Sequence, residues 1–327
     1  MKAWQVTQHG EPEEVLELAE TPLPEPGPGQ IMVRVLAAAA NFPDVLLCRG
    51  TYQVKMPLPF TLGVELCGEV AEVGQGVTGF QVGDRVIGDT ALPAGAFAEY
   101  ALMDASAALP APKALDNAEA APFYVTYETC WLGLHRRARL QEGETLLVHA
   151  AAGGVGTGAI QIGKAAGAQV IGVVGGADKM ALAKEVGADV VVDRTTEDFV
   201  AVVKEFTKGK GADVVFDPVG GEAFHKSTKC IAFEGRIVVV GFASGDMQHA
   251  ALNHALVKNY DILGLQGRTY RFLESATVKH HYAKLLELTE TGAIKTVVTE
   301  RLSLAEVPDG LRRLGAGQTT GRIVFIP

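Results

Sequence analysis

The sequence contains no long hydrophobic run, little cysteine and no stripe rich in lysine and arginine. A membrane span needs about 18 or more consecutive apolar residues, and no such stretch occurs. The first residues, MKAWQVTQHGEP, lack a basic stretch followed by an apolar run, so we expect no secretory signal and a cytoplasmic protein. Because 38 acidic residues against 29 basic ones give a formal charge of −9, nucleic acid is not an expected partner.

Cysteine occurs only four times, and the four positions are far apart in apolar surroundings. This distribution favours reduced, buried thiols over a disulfide framework. The residues are Cys48, Cys67, Cys130 and Cys230.

Glycine is abundant, with 38 residues, and its spacing divides the chain. Short strands separated by glycine turns over residues 1–120 are typical of a compact, barrel-like β domain. From there to about residue 291, apolar strands alternate with helical stretches, which predicts a parallel, doubly wound sheet. Residues 292–327 return to the first pattern. We therefore predict an α/β protein in which residues 121–291 are inserted into a β-rich domain formed by 1–120 and 292–327.

The predicted parallel sheet has six strand candidates, and a long helix, Tyr270–Thr291, is expected to lead out of it. The strand candidates are Thr145–Ala150, Gln169–Val174, Val190–Asp193, Val214–Asp217, Arg236–Gly241 and Asp261–Leu265.

The strongest local motif follows the first of these strands. The turn AAGGVG, residues 151–156, opens a helix and fits A-x-G-x-x-G, a variant of the dinucleotide-binding fingerprint. Its glycines let the backbone approach a pyrophosphate, whose charge is stabilised by the helix N-terminus. The inserted domain is therefore predicted to be a Rossmann domain. Its turn contributes the cofactor-binding candidates Ala152, Gly153, Gly154 and Val155.

The end of the second parallel strand indicates which dinucleotide is bound. NAD enzymes usually place a carboxylate there for the ribose 2′-hydroxyl, but here the strand ends in Gly175-Gly176-Ala177. Lys179 and Arg194 follow neighbouring strands and could bind a 2′-phosphate, so NADPH is the predicted cofactor. Asp178 is the competing feature, and its alternative role is the N-cap of a helix beginning at Lys179.

Several motifs together resemble those of one enzyme family along essentially the whole chain. With the AAGGVG turn, they show that the sequence is similar to the zinc-independent quinone oxidoreductases (zeta-crystallin-like) of the medium-chain dehydrogenase/reductase superfamily. The resemblance implies a Rossmann domain inserted into a GroES-like barrel, and NADPH-dependent reduction of quinones by hydride transfer. The motifs are Asn41-Phe-Pro-Asp44, GVELCG at 63–68, VGDRV at 82–86 and GAFAEY at 95–100.

The same resemblance bears on zinc. Zinc-dependent alcohol dehydrogenases of the superfamily carry Cys where Asn41 stands and His where Val64 stands. Valine has no donor atom, so this pair cannot complete a tetrahedral site. The family's structural-zinc lobe needs four cysteines after the VGDRV motif, and the segment GDTALPAGAFAEY contains none. We predict no metal.

Three residues are catalytic candidates by resemblance. Asn41 is placed beside the nicotinamide ribose. Tyr52 matches a tyrosine of the quinone pocket, where a phenol could donate to a developing oxyanion; its alternative is a surface-loop aromatic. Thr126 matches a hydroxyl that packs against the nicotinamide, and its alternative is a bond back to the helix backbone. A second pocket tyrosine of some relatives falls at Leu46, and Asp44 is expected to hold its own loop.

Further cofactor contacts are implied at segments that follow the later strands, where ligands of doubly wound sheets bind. Arg322 could pair with phosphate or be a solvated strand-end arginine. No histidine is predicted to be catalytic: His149 is expected to be buried, and the pair His280-His281 solvated. The implied contacts are Pro218, Val219, Gly241, Phe242, Ala243, Leu265, Gln266, Gly267 and Arg322.

Two other functions stay open. One is reduction of the carbon–carbon double bond of an enone, enoyl thioester or alkenal on the same fold, and the other is non-catalytic NADPH binding, as in crystallins. The resemblance also implies a homodimer that pairs through the Rossmann edge strand near Asp261–Leu265.

Overall fold

The described part of the chain contains sixteen strands and twelve α-helices. The structure, a computed structural model, describes the backbone of residues 1–327 and the side chains of all but residues 271, 272 and 275. The strands are β1 (Lys2–Val6), β2 (Leu16–Glu20), β3 (Gln30–Ala39), β4 (Phe60–Thr61), β5 (Glu65–Val73), β6 (Arg85–Asp89), β7 (Tyr100–Asp104), β8 (Leu109–Pro110), β9 (Thr145–His149), β10 (Gln169–Val174), β11 (Val190–Asp193), β12 (Ala212–Asp217), β13 (Ile231–Val239), β14 (Asp261–Gly264), β15 (Val298–Ser303) and β16 (Arg322–Ile326).

The longer helices belong mainly to the middle of the chain, where a π-helical segment, Leu132–Arg137, also occurs. The helices are α1 (Pro12–Val15), α2 (Phe42–Cys48), α3 (Asn117–Ala120), α4 (Phe123–Trp131), α5 (Gly154–Ala165), α6 (Met180–Glu185), α7 (Phe199–Phe206), α8 (Gly221–Cys230), α9 (Leu252–Lys258), α10 (Gly267–Leu273), α11 (Ser275–Glu290) and α12 (Val307–Gly315). Contacts divide the chain into a first unit, residues 1–125 with 296–327, and a second unit, residues 126–295.

A six-stranded sheet forms the centre of the second unit, with the order β11-β10-β9-β12-β13-β14. Every neighbouring pair is parallel, as the alternation of strands and helices predicts. All residues of the two central strands, β9 and β12, are buried, which accounts for their uninterrupted apolar runs. The strand order reverses between β9 and β12, so the carboxyl ends of these strands form the switch point at which doubly wound sheets bind ligands.

The first unit is built on β3, which pairs antiparallel with β5, β7 and β16 in a seven-stranded sheet. A second sheet of three strands has the order β2-β1-β4. The core of the first unit contains Phe97 and Phe325, whose ring centroids lie 5.1 Å apart in an edge-to-face arrangement. Because β16 comes from the end of the chain, the C-terminal segment completes the sheet of the N-terminal one.

For the six-stranded sheet, the predicted and the observed strand boundaries agree best where the apolar runs are short. The predicted strands Gln169–Val174 and Val190–Asp193 are confirmed without change. β13, in contrast, begins at Ile231, five residues before the predicted Arg236. Glu234, within β13, has φ +55°. In the sequence the glycine that follows it is typical of a turn, so the strand was predicted to begin after it.

The single helix predicted over Tyr270–Thr291 is wrong, because α10 and α11 are separate. The backbone leaves the helical conformation at Glu274, with φ −136° and ψ 48°. The Glu274 carboxylate forms an ion pair with Arg136 at 2.9 Å. Helical periodicity cannot reveal such a break, since neither helix contains a proline to mark it.

All four cysteines are buried thiols, as predicted. Burial raises the pKa of Cys48 and Cys230 to about 12 and that of Cys67 to about 11, so these groups are protonated at neutral pH and poor nucleophiles. No helix in the described part of the chain is long and apolar enough to cross a membrane.

Candidate functional site

The turn between β9 and α5 has a backbone that only small residues permit. Ala150 adopts φ +50°, and the N–H of Gly153 donates to its carbonyl at 2.9 Å. A Cβ built on Gly156 would lie 2.1 Å from the Ala150 oxygen, so glycine is required for the helix to approach the strand this closely. The first turn of α5 contains no acidic residue. Its N–H groups, beginning at Gly154, therefore fit an anionic pyrophosphate.

The end of β10 carries a cation in place of a carboxylate. The Arg194 guanidinium lies against Gly175: a Cβ there would be 2.8 Å from Arg194 Nη2. Asp193 does not compete for the same place, since its carboxylate accepts from Gly176 N and Thr195 N. A guanidinium beside a glycine backbone fits the 2′-phosphate of NADPH.

The N-cap role considered for Asp178 is wrong. The segment Ala177–Lys179 is a 3₁₀ turn, and α6 begins only at Met180 with no side-chain cap. The Asp178 carboxylate lies over Gly176, where a Cβ would meet its Oδ1 at 2.6 Å. Lys179 is half-buried at the start of α6.

The ends of β12 and β13 are tied together at the carboxyl edge of the sheet. Asp217 Oδ1 accepts from the N–H groups of Val219 and Gly220 at 2.9 and 3.0 Å. Ala243 N donates to the Pro218 carbonyl at 3.1 Å. The structure thus brings together the predicted contacts Pro218, Val219, Gly241, Phe242 and Ala243, next to the β9 turn in the strand order.

The segment after β14 is held by a side chain whose role the sequence did not reveal. Leu265 is buried, and its N–H donates to Val239 O. Gln266 caps α10, since its Oε1 accepts from Thr269 N at 2.7 Å. A glutamine N-cap lies outside the usual Ser, Thr, Asp and Asn set, so the sequence contains no clear signal for it. Gly267 begins the helix.

Thr126 carries a buried hydroxyl that no described residue satisfies. Its side chain is 2% exposed, and Oγ1 has no hydrogen-bond partner within the described structure. The alternative of a bond back to the helix backbone is therefore wrong. Its methyl group packs on α5, where a Cβ at Gly158 would lie 2.9 Å from Thr126 Cγ2. Buried hydroxyls are seldom left without a partner, so this one fits a ligand amide or carbonyl.

A buried polar cluster in the first unit surrounds Asn41. The Asn41 amide donates from Nδ2 to Glu65 Oε2 at 3.0 Å. Arg322 Nη2 donates to Asn41 Oδ1 at 2.8 Å and to Glu65 Oε2 at 3.1 Å. All three side chains are 6% exposed or less. Arg322 is therefore not a solvated strand-end arginine, because its guanidinium is enclosed with Glu65 and Asn41.

Glu65 is the residue of this cluster that sequence reasoning missed. Its only sequence signal is a carboxylate within the apolar run GVELCG, where a charge is unexpected unless a partner is buried with it. The partner, Arg322, stands 257 positions away, so nothing local identifies it.

Asp44 holds its loop, as expected from the sequence. Its Oδ2 accepts from Asn41 N at 2.8 Å, and its Oδ1 accepts from Val64 N at 3.1 Å. Burial raises the pKa of this carboxyl to about 7, against the two backbone hydrogen bonds and the charge of Arg322, which lower it. Asp44 thus joins the backbone of the two positions at which zinc-dependent relatives are expected to carry ligands.

Tyr52 is neither an exposed loop aromatic nor a buried core residue. It lies after α2, its N–H donates to Leu46 O at 3.2 Å, and its half-buried ring packs against the core of the first unit. Leu46 is half-buried as well. The assignment of Tyr52 to a quinone pocket stays a prediction.

Of the predictions made for histidines, the one for His149 is confirmed and the one for His281 is wrong. His149 is 2% exposed and lies 2.8 Å from Ser227 Oγ, so its buried, structural role is confirmed; burial lowers its pKa. The expectation that His281 is solvated is wrong, since it is 7% exposed and lies 3.2 Å from Glu128. It shares the buried face of α11 with Val278, Tyr282 and Leu285. Helical spacing from these apolar residues was the signal available in the sequence.

Among the residues whose side chains are described, no group of three or more His, Cys, Asp or Glu side chains is arranged to hold a metal ion. The two positions expected to carry catalytic-zinc ligands in zinc-dependent relatives hold Asn41 and Val64. Zinc independence stays a prediction.

Comparison with known proteins follows the same division of the chain. Residues 27–113 match the alcohol dehydrogenase GroES-like domain, and residues 154–291 match the zinc-binding dehydrogenase domain. A quinone oxidoreductase-like protein 2 homolog of Nematostella vectensis is 36% identical over 301 residues, covering 91% of this chain and 82% of that protein. The structure is similar to that of the Escherichia coli quinone oxidoreductase complexed with NADPH, with a TM-score of 0.93, 32% identity and full coverage of both chains.

A further relative is much longer. The mycocerosic acid synthase-like polyketide synthase of Mycobacterium tuberculosis is 33% identical over 314 residues, which cover 95% of this chain and 15% of the synthase.

Proposed function

Because this chain belongs to the quinone oxidoreductase family of the medium-chain dehydrogenase/reductase superfamily, and is therefore an NADPH-dependent oxidoreductase, we propose that it reduces a small quinone to the hydroquinone. The observation that supports NADPH as the hydride donor is the carboxylate-free end of β10, where the Arg194 guanidinium lies against Gly175. When bound, NADPH supplies the hydride, and one proton from a side chain or water completes the two-electron reduction.

Different residues of the second unit bind different parts of the dinucleotide. The N–H groups at Gly154 and Val155 receive the pyrophosphate, because they open α5 without an acidic neighbour. Arg194 and Lys179 bind the 2′-phosphate. The Thr126 hydroxyl, which has no partner in the described structure, bonds the carboxamide of the nicotinamide.

We propose Asn41 and Tyr52 as the remaining groups. Asn41 bonds the ribose next to the nicotinamide, and Tyr52 donates a hydrogen bond to the quinone oxygen that gains charge. A phenol is suited to this role because it can donate without itself carrying a charge at neutral pH. Quinone as the acceptor is supported by the names of the relatives and by the half-buried position of Tyr52.

The test is an NADPH-oxidation screen with purified full-length protein. Benzoquinone, naphthoquinone and phenanthrenequinone are compared with an alkenal, a cyclic enone and crotonyl-CoA, each also with NADH. We expect the highest kcat/KM with a quinone and NADPH. A higher kcat/KM with crotonyl-CoA or the enone would transfer the function to double-bond reduction, which the similarity to a polyketide synthase segment favours as the second candidate. Tight NADPH binding without turnover of any acceptor would indicate a non-catalytic, crystallin-like role.

We also propose a homodimer formed through β14, in the cytoplasm. β14 is the last strand of its sheet and pairs with β13 alone in the described chain, so its outer edge offers unpaired backbone groups. Nearby apolar side chains on or before α9 are largely exposed: Met247 69%, Leu252 73%, Leu256 78% and Val257 78%. Four large apolar side chains exposed within eleven residues favour an interface here. Sedimentation of the wild type and of Leu256→Asp tests it, with a dimer expected only for the wild type.

A further inference from the structure

A cavity of about 350 Å³ lies within the second unit, at the edge of the six-stranded sheet where β12 and β13 begin. Its walls come from the last turns of α7, α8 and α9 and from the chain that enters the two strands. The dinucleotide turn lies at the opposite, carboxyl edge, about 20 Å away at roughly 3.3 Å for each of the six residues of β12. The cavity is therefore separate from the predicted cofactor site, and its volume is typical of small-molecule sites.

Lysine is the only charged residue type among the described residues that line the cavity. The four side chains are Lys204, Lys210, Lys229 and Lys258. Lys210 forms an ion pair with Asp213 at 2.8 Å, and Lys258 Nζ donates to Thr228 O at 2.9 Å. In the described structure no carboxylate lies within ion-pair distance of Lys204, Lys229 or Lys258. Positive charge therefore collects here with one carboxylate beside it.

Helix ends account for part of this pattern, because a lysine in the last turn stabilises the partial negative charge of a helix C-terminus. Lys204, Lys229 and Lys258 each occupy such a position. Three helix ends, however, contribute at most about half a negative charge each, which four ammonium groups and one carboxylate outweigh. Burial, together with the charge of Lys204, lowers the pKa of Lys258. The cavity thus keeps an excess of positive charge that the protein itself does not balance.

The lysines are held by close packing of the backbone that carries them. Gly211 has φ +93°, and a Cβ there would lie 2.6 Å from Cys230 O. Glycine therefore lets the loop that carries Lys210 approach the end of α8. Gly211 N also donates to Thr207 Oγ1 at 2.8 Å, which ties the same loop to the end of α7. Two helix ends and one loop are in this way fixed around the cavity.

Two uncharged side chains limit what the cavity can bind. Phe233 lines it and is 68% exposed, so its ring offers a face to a planar group. Cys230 lines it as well, but burial raises the pKa of its thiol to about 12, and a protonated thiol is a poor nucleophile. A ligand is therefore held without a covalent bond, through negative charge on one part and a ring on another.

We propose that this cavity binds a nucleotide, with the phosphates on the lysines and the base on Phe233. A singly charged anion would leave most of the ammonium groups unbalanced, whereas a di- or triphosphate presents several charged oxygens to them. A base stacked on a phenyl ring gains affinity without selection among bases, since every base has a π-face. Because the cavity and the dinucleotide turn lie at opposite edges of the sheet, the proposal does not depend on the quinone or on NADPH.

The experiment is titration calorimetry of the NADPH-loaded protein with ATP and with pyrophosphate, since bound NADPH keeps ATP out of the dinucleotide site. We expect one equivalent of either ligand to bind. Lys204→Ala and Lys229→Ala should each raise Kd for both ligands about tenfold, because a charge-assisted hydrogen bond is lost. Phe233→Ala should raise Kd for ATP about tenfold and leave Kd for pyrophosphate unchanged, because pyrophosphate has no ring.

Lys226→Ala is the matched control. It also removes one positive charge from α8, but Lys226 is paired with Glu222 at 3.0 Å and does not line the cavity. Both ligands should bind this variant as they bind the wild type. Lys204, Lys229 and Phe233 are exposed, so their alanine variants are expected to fold, and sedimentation of each variant shows whether the oligomeric state is that of the wild type.

Three results would overturn the inference. The first is that neither ligand binds the NADPH-loaded protein. The second is that Lys226→Ala weakens binding as much as Lys229→Ala, which would indicate a general effect of charge. The third is that ATP binding to the NADPH-free protein is lost in Arg194→Ala and kept in Lys229→Ala, which would place ATP in the dinucleotide site.

Discussion

Arg194 and Gly175 are in contact at the end of β10, and the contact depends on the missing side chain of the glycine. A Cβ at Gly175 would lie 2.8 Å from Nη2, 3.1 Å from Nε and 3.2 Å from Cζ of Arg194. The guanidinium therefore lies across the backbone at the position where NAD-dependent enzymes carry a carboxylate. Glycine at position 175 carries no charge that would repel a phosphate. Its lack of a side chain also leaves room for the Arg194 guanidinium.

This contact predicts how cofactor preference changes. Arg194→Ala should lower kcat/KM with NADPH by about tenfold to a hundredfold and leave kcat/KM with NADH nearly unchanged, because a charge-assisted bond to the 2′-phosphate is lost. Gly175→Ala should shift the preference in the same direction by displacing the guanidinium. Steady-state rates with both cofactors measure it. Arg34→Ala, which removes an exposed arginine of the first unit, is the control. A parallel loss with NADH would show that Arg194 does not contact the 2′-phosphate.

Thr126 should show opposite effects on stability and activity. Thr126→Val keeps the methyl packed against Gly158 and removes a buried hydroxyl that has no partner in the described structure. We expect the free energy of unfolding of the cofactor-free protein to rise by about 1 kcal/mol, since an unsatisfied polar group is removed. Turnover with NADPH should fall about tenfold.

Urea unfolding and steady-state kinetics measure these two effects. Thr126→Ser, which keeps the hydroxyl, should retain most of the turnover. Wild-type turnover in the valine variant would contradict a role for the hydroxyl at the nicotinamide.

Asp44 should make the stability depend on pH. Its carboxyl has a pKa of about 7 when folded, because it is buried, against an ordinary value of 3.8. Between these two values the folded protein keeps a proton that the unfolded chain has released. Stability from this group is therefore complete below about pH 4 and is lost as the pH rises through 7, by roughly 1 kcal/mol per pH unit within the window.

The measurement for Asp44 is urea unfolding at several pH values between 4 and 8. In Asp44→Asn the side chain at position 44 does not titrate between pH 4 and 8. The free energy of unfolding of this variant should therefore fall less over that range. Identical pH profiles for the two proteins would show that the folded carboxyl has an ordinary pKa.

Removal of metal should not alter activity. Positions 41 and 64 hold asparagine and valine, and valine cannot ligate zinc. We expect protein dialysed against EDTA to keep its full kcat/KM with NADPH, and elemental analysis to find far less than one zinc per chain. An activity that is lost on chelation and restored by zinc would refute zinc independence.

Local patterns were informative where a function depends on backbone shape. The turn at 151–156, the strand Gln169–Val174 and the glycine at its end lie within one continuous segment, and short-range sterics govern each of them. The apolar runs of β9 and β12 likewise indicate burial on both faces of a sheet. The sequence therefore predicts the Rossmann sheet and an NADPH-binding turn.

Patterns failed where a side chain's partner is remote. Helical periodicity continues through Glu274, but its ion pair with Arg136 accompanies a break between two helices. The helical spacing of His281 from Val278 and Leu285 indicates burial, but its partner Glu128 cannot be found from the sequence. In each case the deciding partner lies more than a hundred positions away.

The sequence by itself determined the doubly wound domain, the glycine turn of the dinucleotide site and the absence of a carboxylate after β10. Each of these features depends on residues that are close together in the chain. Only the tertiary structure decided what surrounds Asn41. Glu65 is 24 positions from it and Arg322 is 281, and the direction of its hydrogen bonds follows from their joint burial. The physical reason is that a buried amide must satisfy its donors and acceptors with whatever groups the fold brings to it.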